Sequence, residues 1–175
     1  MKKYLFTLFG VMLLVSGCAS SITSDIVVEA EADPKANFKG YSRYTWLGSA
    51  AIVYDPKGKW EVPNFDADSE IKFHIDTELR ARGMTEDSLD PDIVVVFAAG
   101  IDMESMEFDI DLESNLATLE NVPLGALTII LMDAKTGLAI WAGSATAEIQ
   151  ESPGEEVIKK RIAYAVRTMF KKMPK

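Results

Sequence analysis

Residues 125–149 read "GALTIILMDAKTGLAIWAGSATAEI", and this stretch decides the fold. Two apolar runs flank Asp133 to Gly137, whose aspartate, threonine and glycine mark a turn. Both runs are rich in β-branched residues, and the second carries Trp141, so they read as two strands joined by that turn.

The same reading extends outward. "IVVVFAAGI" (93–101) is a continuous apolar run, as expected of a strand buried on both faces. "MEFDIDLE" (106–113) alternates strictly, with Met106, Phe108, Ile110 and Leu112 on one side and Glu107, Asp109, Asp111 and Glu113 on the other, which predicts a half-buried strand with an acidic outer face. Upstream, "IVVEAE" (26–31) and "YSRYTWLG" (41–48) read as two further strands, separated by the turn signals Asp33-Pro34 and Gly40. "AIVYDPKGKWEVPN" (51–64) reads as a hairpin around Asp55-Pro56-Lys57-Gly58, with Tyr54 and Trp60 near each other across its arms.

From Asp66 the period changes from two to nearly four. Ala67, Ile71, Ile75 and Leu79 form one apolar stripe of a helix. Asp66, Asp68 and Glu70 suit its positive N-terminal end, Arg80 and Arg82 its negative C-terminal end, and Gly83 stops it. A second helix closes the chain. Ser152-Pro153-Gly154-Glu155 has the pattern of a capping box with proline at the first helical position. Its predicted buried residues are Ile158, Ile162, Ala165 and Met169, and it ends in Lys171, Lys172 and Lys175. Strands, a helix, more strands and a closing helix give an α+β class. The expected arrangement is a single mostly antiparallel β-sheet with two α-helices packed on one face.

The N-terminus has a different composition. "MKKYLFTLFGVMLLVSGCAS" begins with Lys2 and Lys3, runs apolar from Tyr4 to Val15, and ends in small residues around Cys18, the only cysteine of the chain. That is the layout of a secretory signal. About a dozen apolar residues fall short of the ~20 that a spanning helix needs, so a retained transmembrane anchor is the weaker alternative. Val15-Ser16-Gly17-Cys18 resembles a bacterial lipobox. The resemblance implies cleavage between Gly17 and Cys18 and acylation of the Cys18 thiol; Ala19, in place of aspartate, implies sorting to the outer membrane. Two or three acyl chains hold where one holds only marginally. The domain boundaries follow: 1–17 a cleaved signal peptide, 18–25 a lipidated N-terminus and short polar tether, 26–175 one domain.

Loss of Lys2 and Lys3 takes the 18 basic residues to 16 against 27 acidic ones, a net charge of −11. Such a surface repels phosphate backbones, so no nucleic-acid partner is expected. The expected contact is the membrane, through the lipid, together with an envelope protein whose identity the sequence does not give.

Several ordered patterns resemble the 4136 family of domains of unknown function, bacterial lipoproteins with a single small domain. They are "NFKGYSRYTWL", "ELRARGM…DPDIVVVF", "GALTIILMDAKTGLAIWAG" and a closing "MFKKMP", covering most of 26–174 apart from 49–64 and 103–123. The resemblance implies an envelope lipoprotein of unestablished activity and brings no catalytic residues. Met84 stands where the pattern suggests an aromatic.

No catalytic constellation emerges from the residues, and no cofactor is expected. His74, the only histidine, sits at the edge of the Ile71/Ile75 stripe, where a partly buried structural role is expected; it lacks the partners of a zinc set. The pairs Asp90/Asp92 and Asp66/Asp68 could do acid–base chemistry but fall at turns and helix starts. Asp109, Asp111, Glu113 and Glu120 match positions 1, 3, 5 and 12 of a calcium loop, but Ser114 replaces the required glycine and no flanking helices are evident. They are a weak divalent-ion candidate. Trp46 and Trp141 are expected in the core. Tyr54 and Trp60, outside the family pattern, are candidate partner contacts. The expected function is a non-enzymatic binding or assembly accessory at the outer membrane, facing the periplasm. The alternatives are a carboxylate-dependent envelope hydrolase and a purely structural or stress-related envelope protein.

Overall fold

The computed structural model describes residues 22–47, 65–100, 125–148, 150 and 153–175, and the backbone of 108–111 and 116–119. The elements are β1 (Val27–Ala32), β2 (Arg43–Trp46), α1 (Ala67–Ala81), β3 (Thr85–Glu86), β4 (Ile93–Gly100), β5 (Phe108–Asp111), β6 (Leu116–Leu119), β7 (Ala126–Asp133), β8 (Ala139–Thr146) and α2 (Glu155–Lys171). Six strands form one mixed sheet in the order β1-β8-β7-β4-β2-β3, while β5 and β6 pair separately as a two-stranded ladder.

The opening stretch forms the centre of this sheet. β7 and β8 are antiparallel, with Ile129 opposite Gly143 and Leu131 opposite Trp141. Asp133 makes the turn between them: its Oδ1 accepts from the amides of Lys135 and Thr136 and from Thr136 Oγ1 at 2.8–3.0 Å. Gly137 takes the left-handed φ of 70° that the turn requires. β4 runs antiparallel to β7 from Ile93↔Asp133 to Gly100↔Ala126. β2 lies parallel to β4, the geometry that an intervening helix permits.

Alternate strand residues face the helices. Ile93, Val95 and Phe97 of β4, Leu127, Ile129 and Leu131 of β7, and Trp141 and Ala145 of β8 pack with Ile71, Ile75 and Leu79 of α1 and with Ala165, Val166, Met169 and Phe170 of α2. This is the expected α+β sheet with both helices on one face. On the other face Val96, Ala98, Ala126, Thr128 and Ile130 are also buried, so the central strands are dry on both sides. A Cβ on Gly143 would lie 2.6 Å from the Trp141 ring, so that ring occupies the space a larger residue would need.

The register defines two ends of the sheet. Gly100, Ala126, Thr146 and Val27 align along the first; Ile93, Asp133, Trp141 and Ala32 align along the second. The helices run parallel to one another between them. Lys159 near the start of α2 lies over the Phe65 ring beside the start of α1, at 5.1 Å. At the other end, Arg82 donates to the carbonyl of Phe170 in the last turn of α2 and to those of Met173 and Pro174 just beyond it.

The structure departs from the sequence expectations in places. The capping box at 152–155 is not formed: α2 begins at Glu155 and its N-cap is Gly154, with no side-chain cap. Glu155 is therefore the first helical residue, where a box would need it at the third, and Pro153 precedes the cap. The Gly154 carbonyl, extended at ψ 150°, accepts from the amides of Val157 and Ile158 and starts the helix by itself. The buried stripe of α2 also shifts toward its C-terminal half, with Val166 and Phe170 buried and Ile158 and Ile162 only half-buried. α1 matches its expected cap and stop: Asp66 accepts from the Ser69 amide at 3.1 Å, and Gly83 has φ 84°. Trp141 is buried as expected. Trp46 is half-buried, edge-on to Phe97, with Lys72 Nζ 5.0 Å above its ring. Met84 is buried in the core.

Candidate functional site

Among the described residues, a polar knot lies at each end of the sheet. At the second end, β2 and β4 both begin, and Asp92 lies in the turn just before β4. Its Oδ2 accepts from the amides of Ser42 and Arg43, both at 3.0 Å, and from Ser42 Oγ at 3.1 Å. Arg43 forks between the two acids, reaching Asp92 Oδ1 at 3.1 Å and Asp90 Oδ2 at 2.5 Å. The Arg43 guanidinium and these donors hold the Asp92 carboxyl far below the usual carboxylate range. Nearby, Tyr41 Oη donates to Asp133 Oδ2 at 2.9 Å. The Thr136 amide is the main cause of the lowered Asp133 pKa; burial and that carboxylate raise the phenol of Tyr41. Asp90 and Asp92 thus serve as fasteners of a parallel strand pair. A general acid must hold a proton near neutrality, and Asp92 is set to lose it.

At the first end, Arg161 of α2 makes a bidentate pair with Asp25, Nη1 to Oδ1 at 2.8 Å and Nη2 to Oδ2 at 2.6 Å. Arg161 Nη1 also donates to the Ile22 carbonyl at 2.5 Å, and Nη2 to that of Glu148 at 3.3 Å. Asp25 Oδ2 in turn accepts from the Glu148 amide at 3.1 Å. Three segments meet on one guanidinium: the turn before β1, the chain leaving β8, and α2. Planar, five-donor geometry suits arginine alone to this task. The hydrogen bond from Arg161 is the largest cause that lowers the Asp25 pKa, to about 2. Residues 22–25, whose small polar composition reads as tether, here form a turn fastened to the domain. The sequence held no signal for this knot, because Asp25 and Arg161 lie 136 positions apart.

The remaining candidates fall as follows. His74 is part-buried, with Nε2 3.0 Å from Glu70 Oε1, and stacks edge-on against Phe73. Asp66 caps α1. Asp68, not bonded to it, has its pKa raised by burial first and then by the Asp66 charge. Tyr44, fully buried, donates to Asp76 Oδ1 at 2.7 Å, and burial raises its pKa to about 12. Asp109 and Asp111 lie on β5, opposite Thr118 and Leu116 of β6; their side chains, and Glu113 and Glu120 entirely, fall outside the described residues. So do Gly17, Cys18, Tyr54 and Trp60. Among the described residues no group of three or more histidine, cysteine, aspartate or glutamate side chains is placed to hold a metal ion. A groove of about 540 Å³ runs past Glu29, Glu31, Thr128, Ser144 and Lys172. Thr128 Oγ1 is buried there without a hydrogen-bond partner.

Comparison with solved structures bears on the fold. A DUF4136 family protein from Bacteroides thetaiotaomicron VPI-5482 is similar in fold at 10% identity and TM-score 0.56, with 82% of this chain and 95% of that one covered. A PDZ domain protein from Parabacteroides distasonis ATCC 8503 aligns at 14% identity and TM-score 0.49, over 86% of this chain and 37% of that one. A minor lipoprotein from Acinetobacter baumannii aligns more loosely, at 8% identity and TM-score 0.33, over 75% and 91%. No curated protein matches the sequence. The family model described as a domain of unknown function, DUF4136, matches residues 28–175, so nearly the whole folded domain lies within it. The chain belongs to the DUF4136 family.

Proposed function

We propose that the protein is a lipid-anchored lipoprotein of the outer membrane, facing the periplasm, and a non-enzymatic binding or assembly accessory of the cell envelope. The observation that carries this reading is the sequence Val15-Ser16-Gly17-Cys18, with its basic and apolar leader, set four residues ahead of Ile22, where the chain is already bonded to the domain. An anchor at Cys18 then holds the whole domain. Among the described residues no helix is long and apolar enough to cross a membrane. Ala19 favours the outer membrane.

Two features support an accessory role over catalysis. The best-placed carboxylates, Asp25, Asp92 and Asp133, are engaged as structural acceptors and held ionised. Tyr54 and Trp60 remain the proposed partner contacts, as aromatic anchors commonly are. The test is Cys18→Ala, followed by metabolic labelling with palmitate and membrane fractionation. The variant is expected to incorporate no label and to leave the membrane fraction; a variant that still sediments with membranes overturns the lipid-anchor reading.

A further inference from the structure

Basic side chains are unevenly placed along this chain. Residues 157–175 hold seven lysines and arginines and no acidic residue, while the rest of the chain beyond Cys18 has nine bases for all 27 acids. Two of the seven are engaged within the fold: Lys159 pairs with Glu155, and Arg161 with Asp25. Lys160, Arg167 and Lys171 are not. Spaced at i, i+7 and i+11, with Tyr164 at i+4, they form one line along the solvent side of α2, about 16 Å long at 1.5 Å per residue. All four are exposed, Tyr164 by 41%, and none has an ion pair or a side-chain hydrogen bond among the described residues. The helix dipole accounts for Lys171 in the last turn; Lys160 lies in the second turn, nearer the positive end. On the outer line of α1, Phe73 is 62% exposed between Ser69 and Thr77, which are exposed too.

From this we infer that the outer face of the helix layer, along the Lys160–Tyr164–Arg167–Lys171 line, docks on the anionic phospholipid headgroups of the leaflet that holds the Cys18 acyl chains. The docked face presupposes the acylation of Cys18 proposed above. Reach allows it. Ile22 is bonded to Arg161, the neighbour of Lys160 and one turn from Tyr164, and only four steps, about 14 Å of extended chain, separate Ile22 from Cys18. A tether this short admits several faces, and charge selects among them. β1 shows Glu29 and Glu31 to solvent, and the starts of the helices show Asp66, Glu155 and Glu156; anionic headgroups repel these within a Debye length of about 10 Å. The α2 line attracts the same headgroups, each base contributing roughly fivefold in affinity beside an anionic leaflet. Glu156 lies one turn before the line, and Glu70 on α1 is occupied by His74. Tyr164 and Phe73 add aromatic rings of the kind that settle at the headgroup level.

The test uses the full-length acylated protein on vesicles of phosphatidylethanolamine and phosphatidylglycerol, with a nitroxide quencher on some headgroups. Cys18 is the only cysteine, so once it is acylated an introduced cysteine is the sole free thiol for a fluorophore. Thr77→Cys labels the helix face and Glu29→Cys the opposite face of the sheet, both at exposed positions. Quenching is expected to be roughly twofold or more stronger at position 77. The combined variant Lys160→Gln, Arg167→Gln and Lys171→Gln gives up about 100-fold in headgroup affinity and should bring the two values together. So should salt near 1 M, where the Debye length falls to about 3 Å, and vesicles of phosphatidylcholine alone; both of these keep the native side chains and hold even if the triple variant fails to fold. Equal quenching at both positions on the anionic vesicles, or stronger quenching at 29, overturns the docked face. A ratio that survives the triple variant and high salt overturns the headgroup chemistry. A photoreactive side chain at position 164 that crosslinks in cells to an acidic protein, and not to lipid, gives the face to that protein and overturns the lipid occupant. Failure of the intact protein to float with vesicles, with no acyl mass on its N-terminal peptide, instead overturns the lipid anchor itself.

Discussion

The two polar knots use the same chemistry for different ends. At the second end, Asp92 collects donors from the start of β2, so one loop fixes the register of two neighbouring parallel strands. At the first end, Arg161 collects acceptors from a segment that precedes the sheet altogether. The Asp92 knot belongs to the fold: without it, β2 loses its fastening. The Arg161 knot adds little to a core already closed by Trp141, Met169 and Phe170, but it decides where the domain begins relative to the chain that leads to Cys18. One knot holds the sheet and the other holds the segment that leads into it.

Substitutions that separate the knots put this contrast to the test. The largest effect should come from the core they share. Trp141→Ala is expected to cost about 3–5 kcal/mol in urea denaturation and to raise amide exchange at both ends together; exchange confined to one end would show that the ends lack a common core. Asp92→Ala leaves two amides and the Ser42 hydroxyl without their acceptor, takes from Arg43 one of its two carboxylates, and should cost roughly 1–3 kcal/mol. Exchange should quicken at Ser42 and Arg43, with Glu148 unaffected. Asp25→Asn should cost about 1 kcal/mol near neutral pH and release the Glu148 amide alone.

The pH dependence of that last pair gives a sign. Asp25 is held ionised by Arg161, its pKa lowered from 3.8 to about 2. Its contribution is therefore present above pH 3.8 and lost as the pH falls toward 2, where the native carboxyl also becomes neutral. The stability gap between the native protein and Asp25→Asn should close across that window, and a gap that widens would contradict the pairing. The smallest effect is expected at Leu89, 95% exposed beside the Asp90 loop. Leu89→Ser should change stability by less than about 0.5 kcal/mol in urea denaturation; a larger loss would show that this loop supports the Asp92 knot.

The pattern of side chains carried most of the architecture. Alternation and apolar runs located β4, β7 and β8, because a dry strand must be apolar throughout. The four-residue stripe of Ile71, Ile75 and Leu79 located α1 to within a residue, with Asp66 and Gly83 as its punctuation. The start of α2 was misplaced because Ser152, Pro153 and Glu155 fit a capping box in sequence, whereas the backbone of Gly154 served as the cap. β3, two residues long and exposed, has no period to detect. The knots were hidden for another reason. Asp90 and Asp92 drew notice as a carboxylate pair, yet their role depends on Arg43, about fifty residues away, and no local spacing links Asp25 to Arg161. Such ties exist only once the sheet has brought its ends together.

The central claim, the proposed lipid anchor at Cys18, meets its most direct test in the mature N-terminus itself. Mass spectrometry of the N-terminal peptide from the purified membrane fraction should find a chain that begins at Cys18 and carries acyl chains on that residue. A mature chain that begins elsewhere, or an unmodified Cys18 thiol on membrane-bound protein, would contradict it.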